Sequence, residues 1–251
     1  MIPRFVYILS DVHNCVNELI EMIRLIEFDY TQDELIILGD CFDRGPHPIE
    51  LFDFITQYSH NENSVPLSPG IRALRGNHDH WLAQNLMRYL DGYRTFSMYN
   101  SLGIITRKEE RATIMQMVHW IYSCPLHMEF SYTSPYGEKK FLLAHAMTAT
   151  ISEIGNKDTS FFLMGQELEF SYLKNGVDAS QGTVSLIGHT PTNIIRAWVG
   201  EEYRPVKSEI WMNRHENPSV IAVDCGCGFR GDDKKNRLGC IRLNDYQTFY
   251  V

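Results

Sequence analysis

The chain has 251 residues, of which 44% are hydrophobic and 22% charged, a composition that suits one globular domain with a large core. Its formal net charge of -8 argues against a broad basic surface of the kind that holds a nucleic-acid polymer. The N-terminal apolar stretch is too short for a signal peptide or a membrane span, and six scattered cysteines are more typical of reduced thiols than of a disulfide framework. We therefore expect a single domain over residues 1–251, located in the cytoplasm, that binds neither a membrane nor a nucleic-acid polymer.

Short, continuously apolar runs recur along the chain, and each stops at a polar residue that can bind a metal or a phosphate. In chain order the runs are FVYILS, LIILG, IRALRG, FLLA, VSLIG and SVIAV. The polar residues that follow them are Asp11, Asp40, Asn77, His145, His189 and Asp224. Runs of this kind are typical of strands that are buried on both faces of a sheet.

Amphipathic helices are predicted between the first strands. CVNELIEMIRLIEF follows the first run and HPIELFDFITQY follows the second, each with apolar residues at helical spacing. The alternation predicts an α/β fold with mixed sheets covered by helices, and places functional residues at the carboxyl ends of strands. Residues 80–124 lack strand signals and contain the helical pattern RATIMQMVHWIY, which predicts a helical insertion able to cap the site. Residues 151–180 show no clear pattern.

The polar residues at the strand ends have the chemistry of a metal centre. Asp11 and His13 are two residues apart in an extended segment, so their side chains point the same way and can share one metal. The same edge of the sheet would add Asp40, Asn77, His145 and His189. Oxygen and nitrogen ligands without a thiolate suit Mn, Fe or Zn. Six such ligands are more than one metal usually takes, and two metals bridged by a carboxylate would use them fully.

Five motifs carry a resemblance to a known family. SDVHN, GDCFDRGP, RGNHD, LLAHA and IGHTP occur in the order, and close to the spacing, of the motifs of the calcineurin-like metallophosphoesterases. Within that family the chain is most similar to the bacterial and phage branch of the PPP-type serine/threonine protein phosphatases. The resemblance implies the calcineurin-like fold, two divalent metal ions (manganese first, iron or zinc as alternatives), and direct attack of a metal-bridging hydroxide on a phosphomonoester. The implied substrate is a phosphorylated protein, carrying phosphoserine or phosphothreonine, or a small phosphoester.

The resemblance also implies a role for each motif residue. Its metal ligands are Asp11, His13 and Asp40 for the first metal, and Asp40, Asn77, His145 and His189 for the second. It further implies that His78 is the general acid and that Asp43 orients its ring. Arg44 would bind the substrate phosphate, and Asn77 would also contact the substrate.

The motifs depart from the family pattern at several positions. Ser10 and Asn14 replace the two glycines of the usual GDxHG, which puts the close approach of the backbone in question. The third motif ends in Asp79, where the protein phosphatases usually have glutamate, and aspartate at this position is similar to the symmetrical dinucleoside tetraphosphate hydrolases. The second motif has a carboxylate, Asp43, before Arg-Gly-Pro, and this favours the protein phosphatases. The alternative substrate is therefore diadenosine tetraphosphate.

A second phosphate-binding arginine is also expected between the last two histidines, and the sequence has none there. Arg196, Arg230 or Lys157 could substitute for it.

Structural alternatives remain for most of these residues. Asp40, Asp43 and Arg44 could form a buried ion pair at a strand end, and His145 and His189 could be hydrogen-bonded core histidines. Asp224 could serve the site directly or only support it. Cys225-Gly-Cys227-Gly favours a tight turn with reduced thiols over a metal or redox site. His80, Trp81, His119 and Trp120 favour packing within the insertion over substrate contact. At the level of the whole chain, a phosphate-recognising scaffold without activity is the non-enzyme alternative.

Overall fold

The computed structural model describes residues 2–59, 67–95, 100–149, 155–165, 170–177, 182–201, 207–229 and 235–251. Its strands are β1 (Val6–Leu9), β2 (Glu34–Ile37), β3 (Gly70–Ala73), β4 (His127–Ser134), β5 (Gly137–Ala144), β6 (Thr183–Ile187), β7 (Trp211–Met212), β8 (Val220–Ala222), β9 (Gly239–Arg242) and β10 (Thr248–Tyr250). Its helices are α1 (Val16–Leu25), α2 (Pro48–Tyr58), α3 (Asn77–Leu90), α4 (Asn100–Lys108), α5 (Arg111–Ser123), α6 (Thr159–Met164), α7 (Phe170–Asn175) and α8 (Thr192–Trp198). Every apolar run predicted as a strand forms one. None of the helices in these ranges is both long and apolar enough to cross a bilayer.

The strands form two mixed five-stranded sheets. The first has the order β10-β9-β1-β2-β3, with β1, β2 and β3 parallel to one another. The second has the order β4-β5-β6-β8-β7, with β5, β6 and β8 parallel. Antiparallel strands complete both sheets, which confirms the prediction of mixed sheets. Because the parallel strands lie side by side, their carboxyl ends meet at one edge of each sheet.

The side chains of β1 show how the layers are stacked. Tyr7 and Leu9 belong to a core shared with the first five helices, whereas Val6 and Ile8 belong to a core shared with the second sheet. This is the alternation that a strand with both faces buried requires. A third core lies between the second sheet and α6 to α8. The layers therefore run helices, sheet, sheet, helices. The central core shared by both sheets supports the single-domain organisation, which stays a prediction.

The predicted insertion is helical. It begins within the third motif, because α3 starts at Asn77, and continues through α4 and α5. Leu82, Leu86 and Leu90 form the buried face of α3 at helical spacing. Residues 96–99, inside the predicted insertion, lie outside the described ranges. Strand β4 was not predicted, because it lies at the edge of its sheet and presents an alternating, half-exposed side-chain pattern rather than an apolar run.

Candidate active site

The structure brings the predicted site residues together. Asp11, Asp40 and Asn77 follow the neighbouring parallel strands β1, β2 and β3, while His145 and His189 follow β5 and β6 of the other sheet. The carboxylates of Asp11 and Asp40 are buried, as are the side chains of Asn77 and His145. Burying carboxylates is costly unless they are paired with cations or hydrogen-bond donors, so this edge requires specific partners.

The backbone at the site is held in an unusual conformation. A positive φ, between 49° and 73°, occurs at Asp11, His13, Asn14, Asp40, Asp43, Arg44 and His189. Non-glycine residues rarely adopt this region, and those that do are concentrated at functional sites where the surrounding structure maintains the strain. Asp11 and His13 therefore reach the cleft from a left-handed turn and not from the extended segment that the sequence predicted.

The carboxylate of Asp40 lies at the centre of this arrangement. Its Oδ2 is 3.7 Å from His13 Nε2 and 3.4 Å from His145 Nε2. Its Oδ1 accepts a hydrogen bond from the backbone N–H of His78 at 2.9 Å. One carboxylate therefore faces an imidazole from each sheet, which is the position that a ligand shared by two metals needs.

A second group of ligand atoms surrounds the amide of Asn77. Its Oδ1 lies 2.9 Å from His145 Nε2 and 3.0 Å from His189 Nδ1, and these two nitrogens are 3.2 Å apart. An amide oxygen and two ring nitrogens that converge in this way suit a borderline divalent cation.

Backbone carbonyls orient two of the ligand histidines. His13 Nδ1 lies 2.9 Å from the carbonyl oxygen of Phe42, and His145 Nδ1 lies 2.7 Å from that of Leu38. Since a carbonyl can only accept, each Nδ1 carries a proton, and Nε2 is the ring nitrogen that faces Asp40 in both histidines. The donor set therefore fits a pair of divalent metals.

Burial and mutual charge separate the pKa values in the site. Burial raises the pKa of Asp11 to about 6 and lowers those of His13 and His189 to about 4. Burial acts on Asp40 and His145 as well, but their attraction for each other lowers the pKa of the carboxyl and raises that of the imidazole to about 10. Such divergence is characteristic of functional clusters.

The first group of closely spaced ligand atoms differs from the predicted ligand set, because it contains His78 in place of Asp11. His13, Asp40 and His78 have ligand atoms within 4.8 Å of one another, as do Asp40, His145 and His189. His78, predicted as general acid, thus lies within reach of the first group. Asp11 Oδ1 is 3.8 Å from His13 Nε2. The division of roles between Asp11 and His78 remains a prediction.

His78, Asp43 and Arg44 form a contiguous unit beside the ligands. His78 Nδ1 lies 3.2 Å from Asp43 Oδ2, and its Nε2 lies 3.3 Å from Arg44 Nη2. The guanidinium of Arg44 stacks over the ring of Phe229 at 4.1 Å, a contact that sequence patterns did not indicate. The imidazole is thereby held by a carboxylate on one side, with its other nitrogen facing the cation that the resemblance assigns to phosphate.

The two departures from the glycine pattern are accommodated by neighbouring groups. Ser10 Oγ donates to Asp11 Oδ2, and a Cβ at Gly188 would lie only 1.9 Å from that hydroxyl oxygen. The backbone therefore does approach the first motif closely, and the glycine that permits this approach is Gly188. Asn14 donates from Nδ2 to Ser101 Oγ at 2.8 Å and to the carbonyl of Gly45 at 3.0 Å. The asparagine thus links the second motif to the helical insertion.

Asp79 has a structural role. Its Oδ2 accepts from the backbone N–H of Gly76 at 2.9 Å and its Oδ1 from that of Phe42 at 3.0 Å. The carboxylate caps the start of α3 and joins it to the second motif. Since both of its carboxylate oxygens accept from backbone N–H groups, Asp79 bears on substrate choice only through the resemblance.

A cleft of about 410 Å³ opens over these groups. Its lining includes Asp11, His13, Asp40, Arg44, His78, His189, Pro191, Asn193, Ile194, Asp224, Phe229 and Asn236. Sequence reasoning missed four of them: Asn193 and Ile194 of α8, and Phe229 and Asn236, which reach the cleft from the segment after β8 and just before β9. Asp224 lies in the wall with Oδ1 bonded to the N–H of Gly226 at 2.7 Å.

Two of the predicted substitutes for a second phosphate-binding residue, Arg196 and Lys157, are not among the described residues that line the cleft. Arg196 Nη1 is paired with Glu201 at 2.6 Å, and Lys157 Nζ lies 4.4 Å from the centre of the Phe161 ring. Arg230 lies outside the described ranges. Among the described residues that line the cleft, Arg44 is the only arginine or lysine. The predicted tight turn after Asp224 contains a short 3-10 helix, Cys227–Phe229, and the thiols of Cys225 and Cys227 are buried and form no disulfide.

Among the known proteins similar in sequence to this chain are enzymes named symmetrical bis(5'-nucleosyl)-tetraphosphatase. Among curated proteins, the symmetrical bis(5'-nucleosyl)-tetraphosphatase of Coxiella burnetii (strain Dugway 5J108-111) is 32% identical over 127 residues, which cover 49% of this chain and 37% of that protein. The protein of the same name from Enterobacter sp. (strain 638) is 27% identical over 140 residues, covering 56% of this chain and 42% of that protein. The matched region thus spans about two fifths of the length of these curated relatives.

Solved structures share the fold over nearly the whole chain. A candidate diadenosine tetraphosphatase matches 100% of this chain and 95% of its own with a TM-score of 0.61 at 14% identity. A protein serine/threonine phosphatase from Saccharomyces cerevisiae matches 95% of this chain and 72% of its own, also with a TM-score of 0.61 and 14% identity. At this identity the likeness concerns the fold alone. A family model described as calcineurin-like phosphoesterase matches residues 6–223. The chain therefore belongs to the calcineurin-like phosphoesterase family.

Proposed function

We propose that this chain is a metal-dependent hydrolase that cleaves phosphate esters or anhydrides at a dinuclear centre. The observation that carries the proposal is the position of Asp40, whose Oδ2 lies 3.7 Å from His13 Nε2 and 3.4 Å from His145 Nε2. Asp11 and His13 would complete one metal site, and Asn77, His145 and His189 the other. Family membership supports the same chemistry.

The residues around the ligands are suited to phosphoryl transfer. When bound, two divalent metals supply positive charge for the phosphate oxygens and acidify a water nucleophile. Arg44 would donate from its planar guanidinium to the phosphate, a geometry that favours bidentate binding. His78 would release a proton from Nε2 to the leaving oxygen, and Asp43 would hold the ring through Nδ1. A substrate phosphate between Arg44 and His78 would replace their present 3.3 Å contact.

The substrate that we favour is a dinucleoside polyphosphate. The matched curated relatives are named symmetrical bis(5'-nucleosyl)-tetraphosphatases, and this supports the nucleotide reading over the phosphoprotein reading that the motifs first suggested. Symmetrical cleavage of diadenosine tetraphosphate would release two ADP molecules. Several cations at the site would attract a polyphosphate despite the net charge of -8 of the chain.

A phosphomonoester, such as phosphoserine or phosphothreonine in a protein, is the second candidate. The hydrogen bond between His78 and Asp43 favours it, because an alkoxide leaving group needs a proton far more than a nucleoside diphosphate does. The same contact is compatible with a nucleotide substrate but less necessary for it.

A side-by-side assay would distinguish the two substrates. The full chain, loaded with Mn²⁺, is given diadenosine tetraphosphate and a phosphoserine peptide at equal concentration, and products are separated by ion-exchange chromatography. We expect ADP as the sole nucleotide product and slow release of phosphate from the peptide. Rapid peptide dephosphorylation with intact dinucleotide would reverse the preference, and equal amounts of AMP and ATP would exclude symmetrical cleavage.

The non-enzyme alternative makes a different prediction about metal content. A phosphate-recognising scaffold would bind less than one Mn²⁺ per chain and turn over neither substrate. We expect close to two metals per chain by elemental analysis after removal of free metal, together with turnover. Close to two metals per chain together with turnover in the same preparation would exclude the scaffold.

A further inference from the structure

Trp81 is an exposed aromatic residue beside the proposed general acid. It is the fifth residue of α3, three residues after His78, and residues at this spacing are neighbours on a helix surface. The centre of its indole ring is 5.4 Å from that of the imidazole, at an interplanar angle of 62°. His78 lines the cleft and is buried, whereas Trp81 is 39% exposed. The indole therefore extends from the buried acid to the surface.

Packing does not explain this placement. The buried face of α3 consists of Leu82, Leu86 and Leu90, together with small and polar residues of its first turns, and Trp81 lies outside that core. Trp120, the other tryptophan of the insertion, behaves as a packing residue: its ring lies 6.1 Å from that of Phe42 and 6.0 Å from that of Phe52. Packing was the expectation for both tryptophans, and only Trp120 shows it.

The position relative to His78 indicates which part of a substrate would meet the indole. A general acid must lie within hydrogen-bond distance of the leaving-group oxygen, so the leaving group begins beside His78 and therefore near the indole of Trp81. We propose that Trp81 forms a subsite that stacks on a planar ring of the leaving group, specifically a nucleobase. This inference rests on the proposed phosphoesterase function. For a nucleoside diphosphate, the flexible diphosphate and ribose connect the oxygen at His78 to the base at Trp81.

A pair of small substrates tests the subsite without depending on the nucleotide assignment. Para-nitrophenyl phosphate has a ring in its leaving group, while acetyl phosphate is reactive and has none. The measured quantity is kcat/KM for para-nitrophenyl phosphate divided by kcat/KM for acetyl phosphate. In Trp81→Ala we expect this ratio to fall about tenfold, the usual effect of losing one stacking contact. Trp81→Phe retains most of the ratio. Tyr93→Ala removes a 64% exposed aromatic beyond the far end of the same helix and leaves the ratio unchanged.

Product inhibition tests the assignment to a nucleobase. We expect Trp81→Ala to weaken inhibition by ADP about tenfold and to leave inhibition by inorganic pyrophosphate unchanged. An unchanged substrate ratio, an equal loss on both small substrates, or unchanged inhibition by ADP would overturn the proposal. Failure of the proposed function is a distinct result, since the wild-type protein would then hydrolyse none of the phosphate compounds.

Discussion

Asn14 Nδ2 donates a hydrogen bond to Ser101 Oγ at 2.8 Å, which ties the first motif to helix α4 of the insertion. Both residues are fully buried. The same amide group donates to the carbonyl of Gly45, immediately after Arg44, whose φ is 66°. The insertion therefore helps to hold the strained turn that presents the guanidinium of Arg44 to the cleft.

Loss of this link should affect phosphate binding. We expect Ser101→Ala to lower the free energy of unfolding by about 1 kcal/mol and to raise KM for para-nitrophenyl phosphate severalfold, with a smaller change in kcat. Urea denaturation and steady-state kinetics measure the two effects. Thr106→Val is the matched control, because the Thr106 hydroxyl bonds within the same helix to the carbonyl of Leu102. A loss of stability with an unaltered KM would show that the link is only structural.

Replacing His78 should separate proton donation from metal binding. We expect His78→Asn to retain both metals and to lose about 10²–10⁴-fold in kcat on an alkyl phosphate, with a much smaller loss on para-nitrophenyl phosphate. Asp43→Asn should follow the same pattern to a lesser degree. Elemental analysis accompanies the kinetics. If His78→Asn loses one metal, His78 is a ligand of the group that it forms with His13 and Asp40, and its role as acid is wrong.

The shared position of Asp40 predicts a cooperative loss of metal. We expect Asp40→Asn to bind fewer than one Mn²⁺ per chain, because the substitution weakens both groups of ligands at once. Asp224→Asn, in the wall of the same cleft, should keep both metals if its carboxylate only supports the segment through Gly226. Calorimetric titration with Mn²⁺ measures both, with exposed Asp53→Asn as the surface control. Two full-affinity sites in Asp40→Asn would contradict the bridging role.

Gly188 should tolerate no side chain while Ser10 is present. A Cβ at this position would lie 1.9 Å from Ser10 Oγ and 2.6 Å from Asp11 Oδ2. We expect Gly188→Ala to lower stability by about 1–3 kcal/mol through overpacking and to reduce metal affinity. Adding Ser10→Gly should recover part of both losses, since it removes the nearer contact and leaves the one with Asp11. Thermal unfolding of the four proteins in the double-mutant cycle checks this, and strict additivity would refute it.

A buried ion pair remote from the cleft predicts a pH dependence of stability. Glu34 is fully buried, with Oε1 3.3 Å from Arg72 Nη2; burial raises its pKa to about 7, although Arg72 opposes the shift. The folded carboxyl thus holds its proton above the pH at which the unfolded one releases it. Stability from this group is present at low pH and falls as pH rises from about 5 to 7, by about 1–3 kcal/mol.

The comparison with Glu34→Gln isolates this effect. The stability difference between wild type and variant should shift against the wild type as pH rises across that window, whatever its value at pH 5. Urea denaturation at pH 5, 6 and 7 without metal measures it. A stability difference that stays constant with pH would mean that Glu34 has the same pKa in the folded and unfolded states, and would contradict the prediction.

Much of the architecture could be predicted because the relevant signals are local. Continuous apolar runs such as LIILG identify strands buried on both faces, and the residues after them mark the edge where parallel strands end. Half-exposed edge strands such as β4 could not be predicted in the same way, since their side chains alternate between polar and apolar.

The sequence by itself determined the family pattern and the candidate ligands, because motif order and residue chemistry need no coordinates. Only the tertiary structure decided how those residues divide their contacts: Asp40 lies between His13 and His145, Asp79 binds backbone, and Arg196 turns away to Glu201. It also decided that Phe229 covers Arg44 and that Trp81 stands exposed beside His78. These relationships join positions far apart in the chain or depend on which face of a helix meets the core, and packing of the whole fold decides both.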